Sequence, residues 1–155
     1  MMNFENMEFE LNTSTRSTAF FIFDNEGSLE YSFDCSFKPN ELSKELYGQK
    51  IAPTLRINPI VTNECKVEGL VGKHFSVDNI EQADEREDTF YVFGHEPLEK
   101  YELTILDIEN DRVQIECKGV AVIDGYEEDY KTGNFEINCW LPIITSVSDW
   151  AKFGL

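Results

Sequence analysis

The sequence predicts a mainly β fold: an antiparallel sandwich or a strongly bent sheet with one or two short helices, an α+β arrangement being the variant. Three observations predict it. Apolar and polar residues alternate at period two along most of the chain. Turn residues recur at hairpin spacing. Neither a long helical pattern nor a βαβ alternation appears, which argues against a parallel doubly wound sheet. At 155 residues the chain is expected to form one domain, 1–155. Its apolar fraction is 41%, with twelve Phe, so a core can form without disulfides or metal.

The elements follow in order. Met7, Phe9 and Leu11 alternate with Glu8 and Glu10. Residues 18–24 form an apolar run ending at Asn25-Glu26-Gly27, a hairpin turn in which Gly27 is free to take positive φ. Leu29, Tyr31, Phe33, Cys35 and Phe37 then share one face of the return strand. Leu42 and Leu46 lie four apart and Gly48 follows, which predicts a brief helix. Pro53 and Pro59 mark the next stretch as loop or edge strand. Cys65, Val67 and Val71 give a weaker strand pattern broken by Gly69 and Gly72. Residues 78–88 carry six acids and are expected to be an exposed loop or short helix. Strand character returns at 89–93, and His95 is placed in a turn before Pro97. The 101–105 strand runs to a turn at Asn110-Asp111, and 113–123 form its partner. After the loop bounded by Gly125 and Gly133, residues 135–141 form another alternating strand. Residues 148–153 are expected to form a terminal helical turn capped by Ser148.

Cys35, Cys117 and Cys139 lie in phase with large apolar residues and are expected in the core, while none of the four cysteines forms a CxxC pair. His74 and His95 form no close pair with each other or with a cysteine. There is no nucleophile elbow, phosphate loop, dinucleotide fingerprint or calcium loop. The sequence therefore predicts no catalytic activity, no metal and no cofactor.

The charge is the outlying property. Thirty Asp and Glu stand against thirteen Lys and Arg, a net charge of −17. Such a field repels phosphate backbones and anionic membranes, and favours a basic protein partner. Two acidic segments are the candidate contact surfaces. The first is Tyr126, Glu127, Glu128, Asp129 and Tyr130, in which tyrosines supply anchors with low entropy cost. The second is Asp84, Glu85, Glu87 and Asp88. In size, acidity, β content and lack of a catalytic motif the chain resembles bacterial immunity proteins, which cap the active sites of nuclease-type toxins delivered between cells in contact-dependent inhibition. The resemblance is one of type, without a diagnostic motif. It implies an acidic inhibitor of a basic toxin domain, without direct nucleic-acid or membrane binding. No export signal or apolar span is seen, so a cytoplasmic location is expected. The alternative is a structural or assembly module without catalytic activity, and self-association into a homodimer is compatible with either reading.

Overall fold

The structure, a computed structural model, describes residues 1–125 and 131–155. Its strands are β1 (Met2–Phe4), β2 (Met7–Phe9), β3 (Ala19–Asn25), β4 (Ser28–Ser36), β5 (Thr54–Val61), β6 (His74–Val77), β7 (Thr89–Tyr91), β8 (His95–Glu109), β9 (Arg112–Asp124) and β10 (Lys131–Ile144). Two short helices, α1 (Ser43–Tyr47) and α2 (Ile80–Arg86), and 3₁₀ turns at Val67–Leu70 and Val147–Phe153 complete the described residues.

The strands close on themselves. In the order β3–β4–β5–β7–β8–β9–β10, each pairs with the next, and β10 returns to β3. The result is a closed seven-stranded barrel. Every junction in the ring is antiparallel except the last. There β10 runs parallel to β3, with Ile143 opposite Phe20 and Ile144 opposite Phe21. β1 and β2 add to the wall through β10, and β6 through β8.

This overturns the expected sandwich or bent open sheet. Period-two alternation says which residues face inward, but is silent on whether the outermost strands meet. Closure comes from β8, β9 and β10, at 15, 13 and 14 residues, which are long enough to serve both walls. The first residues of β8 pair with β7 and the later ones with β9. Likewise β10 meets β1 at Phe135–Ile137 and β3 at Ile143–Ile144.

Alternation does decide the inside. Along β4, Leu29, Tyr31, Phe33 and Cys35 are buried and their neighbours half-buried. Phe90 anchors the interior, with ring centroids 5.2 Å from Phe4 and 5.4 Å from Phe135. Both expected hairpin turns form. Gly27 takes φ 92°, and its N–H donates to Asp24 Oδ1 at 2.9 Å. Asn110 and Asp111 take φ 52° and 61°, the left-handed pair that joins tightly twisted strands.

Other expectations are corrected. Residues 54–61 form β5, a strand paired with both β4 and β7, rather than a loop or an edge. Pro59 is tolerated because it falls at the irregularity in the β4–β5 register and beyond the β7 pairing, where no ladder bond needs its missing N–H. The weak pattern at 65–71 is a 3₁₀ turn, and the strand β6 begins only at His74. His95 begins β8 instead of lying in a turn. α1 forms where expected, but Leu42 and Leu46 face solvent and Ser43 is its buried residue.

The terminal turn is capped by Ser146, not Ser148. Asp149 Oδ2 reciprocates, accepting from Thr145 N at 2.8 Å, Thr145 Oγ1 at 2.7 Å and Ser146 N at 3.1 Å. The bonds from Thr145 lead the effects that hold the Asp149 carboxyl below its ordinary pKa. A depressed folded pKa gives stability above the unfolded value that is lost as pH falls through the folded one. The stability gap between the parent chain and Asp149→Asn should therefore be full at pH 7. It should close as pH drops below about 4, as urea unfolding from pH 7 to 2 would show.

Candidate functional site

The two acidic segments fare differently. Tyr126, Glu127, Glu128, Asp129 and Tyr130 lie outside the described residues. Their flanks do not. Gly125 lies against the Glu96 carboxylate, and Lys131 begins β10. Gly125 thus lies at the end of the barrel where α1, the β1–β2 turn and the β7–β8 turn also gather. Several contacts fix this grouping. Asn134 N donates to Glu5 Oε1 at 2.7 Å. The Tyr47 ring meets Phe93 edge-on at 5.7 Å, and Tyr91 lies 5.0 Å from His95. Burial, and then the charge of Glu5, push the Tyr47 hydroxyl pKa up.

Tyr91 and Phe93 are each 38% exposed. Sequence reasoning missed them and Tyr47 as surface aromatics. The signal was the 89–93 run, in which aromatic residues occupy both strand phases, so one phase must face outward.

The second segment folds as α2, with Asn79 as its cap: Asn79 Oδ1 accepts from Gln82 N at 2.9 Å. Asp84, Glu85 and Glu87 are exposed and have no ion-pair partner among the described residues. Asp88 does not belong with them. It is 1% exposed, and its carboxylate is consumed inside the protein. Oδ2 accepts from Tyr101 Oη at 2.6 Å and Arg86 Nε at 2.8 Å, and Oδ1 from Asn58 N at 2.8 Å. Arg86 in turn donates to the carbonyls of Asn58 at 2.7 Å and Pro59 at 3.3 Å, with its guanidinium 4.8 Å over the Phe75 ring. The pair stands where β5 outruns β7, supplying the bonds that a strand would otherwise provide. The Tyr101 hydroxyl is held protonated, first by burial and then by the charge of Asp88. Asp88 is therefore withdrawn from the partner-contact set.

A groove of about 530 Å³ runs across β8, β9 and β10 on the outer wall. Asp78, which leads into α2, lines one side, and Val120 and Asn134 of the β9–β10 hairpin line the other. Glu102, Lys118 and Glu136 lie in register across β8, β9 and β10 between them. At Gly119, in the groove's lining, β8 presses closely onto β9. A Cβ there would lie 2.8 Å from Tyr101 Cα and closer still to the Lys100 carbonyl.

Most of the cations are already matched. Lys38, Lys44, Lys50, Arg56, Lys73, Arg86, Lys118 and Lys152 each pair with a carboxylate of the chain. The excess of acid is therefore left on the surface.

Cys35, Cys117 and Cys139 are buried, and Cys65 is exposed. Burial pushes the thiols of Cys35 and Cys117 up, away from the nucleophilic thiolate. His74 and His95 are both exposed, on different strands. Among the described residues no three His, Cys, Asp or Glu side chains gather to hold a metal ion. No helix among them is long and apolar enough to cross a membrane. Set against family models, curated proteins and solved structures, the chain finds no match.

Proposed function

We propose that the protein is an acidic, non-catalytic binding protein that neutralises a basic protein partner, in the manner of a bacterial immunity protein capping a nuclease-type toxin in the cytoplasm. What supports this reading is the set of exposed carboxylates on and just after α2, Asp84, Glu85 and Glu87, which no cation among the described residues pairs, together with a groove on the barrel wall that Asp78, just before α2, lines. A basic partner meeting this wall finds carboxylates that no internal cation neutralises. Exposed Tyr91 and Phe93 beside the loop's root supply apolar anchors of the type that dominate binding energy.

The direct test is to combine the protein with a panel of basic nuclease-type toxin domains and follow both complex formation and nuclease activity. A salt-sensitive complex that silences the nuclease is expected. Full nuclease activity at saturating protein would end the reading. Within a complex, the triple change Glu127→Lys, Glu128→Lys, Asp129→Lys should slow association by about tenfold or more and change dissociation less. Unchanged association kinetics would remove the loop from the interface.

One observation favours the assembly alternative. Phe23 is 49% and Val61 71% exposed, on either side of Glu30 along one cross-strand row. Light scattering separates the readings: a monomer supports capping, and a defined large oligomer supports assembly.

A further inference from the structure

A second cavity, of about 210 Å³, opens where the wall between β5 and β6 is unpaired. Its floor carries Tyr31, only 1% exposed. Among the described residues the Tyr31 hydroxyl has no hydrogen-bond partner, its neighbours being the Phe20 ring and the charge of Arg86. No side-chain polar atom wholly sealed from solvent is left unbonded, so this hydroxyl must be reached from the cavity. Burial holds it protonated, with Arg86 opposing that push. It is therefore a hydrogen-bond donor aimed into an empty space.

The rest of the lining is unlike the rest of the protein. Ile60 and Phe75 provide apolar walls, and Asn63, Lys73 and His74 surround the mouth. No Asp or Glu lines the cavity, although acids make up 30 of the 155 residues. Lys73 bonds Glu64 at 2.8 Å, which leaves further N–H groups of its ammonium free. His74 Nδ1 lies 3.0 Å from Thr104 Oγ1, which leaves its other ring nitrogen toward solvent. The site combines a buried O–H donor, a cation, an amide and an aromatic wall.

We infer that this cavity binds a small carboxylate, which Tyr31 and Lys73 hold at its charged end and Phe75 and Ile60 enclose at its apolar end. The site is separate from the acidic groove and does not rest on the proposed function. A small metabolite and the terminal carboxylate of a peptide present the same chemistry.

The test is an amide NMR titration of the full chain with sodium benzoate, at ionic strength held constant with sodium chloride. Saturable shifts at Tyr31, Lys73, His74 and Phe75 are expected, and neutral benzamide should produce none. Tyr31→Phe should weaken benzoate about tenfold, the value of a hydrogen bond to a charged group. It should leave the fold intact, because the hydroxyl bonds nothing among the described residues. Lys73→Gln provides a second variant, with weakening in the same direction. A short peptide titrated as free acid and as amide identifies the source: a free acid that outcompetes benzoate points to a chain terminus, and the reverse to a small molecule. Absence of saturable shifts with either carboxylate, equal binding of benzamide, or unchanged affinity in Tyr31→Phe would overturn the site.

Discussion

Asp88→Ala should cost about 3–5 kcal/mol of folding stability, the largest effect expected of a single change near the surface of this protein. Removing the carboxylate strands three groups together. The Arg86 guanidinium loses its counter-charge, the Tyr101 hydroxyl its acceptor, and the Asn58 N–H its only bond toward this side. The three converge where β5 runs on past its pairing with β7. The loss compares with a total stability of roughly 5–15 kcal/mol for a domain of this kind. Urea unfolding followed by Trp140 and Trp150 fluorescence would show the midpoint falling steeply. Replacing Arg86 and Asp88 together by alanine should cost less than the sum of the single changes, since no uncompensated charge remains. If Asp88→Ala unfolds within about 1 kcal/mol of the parent chain, the pair does not hold the wall.

Gly119→Ala should destabilise by about 1–3 kcal/mol, although it adds a single methyl group. The new Cβ would strike backbone, the Lys100 carbonyl and Tyr101 Cα, which cannot swing aside as a side chain can. The obstruction falls beside the register shift between Leu98 and Lys100 in the β8–β9 pairing. Relief would require β8 and β9 to part at the floor of the groove, so the change should also perturb amide shifts at Asn134 and Glu136. Gly94→Ala is the matched control. Its Cβ meets nothing within 4 Å, and it should stay within about 0.5 kcal/mol of the parent chain. Equal costs for the two substitutions would show that close strand approach at Gly119 does not shape this corner.

Of the two candidate acidic segments only one lies within the described residues. Residues 78–88 were expected as an exposed loop or short helix; Ile80–Arg86 form the helix, and Asp84, Glu85 and Glu87 face solvent. Asp88 looked the same in sequence and behaves oppositely. An isolated acid in an acidic run gives no hint that a tyrosine thirteen residues on and an asparagine thirty residues back will converge on it. Tyr31 illustrates the reverse. Its strand phase correctly places the side chain inside, but only the tertiary structure sets it on the floor of a cavity, its hydroxyl without a partner among the described residues.

By itself the sequence determined the inward faces of β2, β4 and the middle of β8, β9 and β10, the turns at Gly27 and at Asn110–Asp111, the burial of Cys35, Cys117 and Cys139, and the net charge of −17. These follow from local chemistry: a two-residue repeat, backbone freedom at a turn, and the count of ionised groups. The tertiary structure alone decided that the sheet closes as a barrel. Ile143 and Phe20 pair across most of the chain's length, and no local pattern names a strand's partner. Closure also fixed which polar groups must bond one another and which open into cavities. It turned Asp88 into part of the wall and left Tyr31 facing an empty pocket.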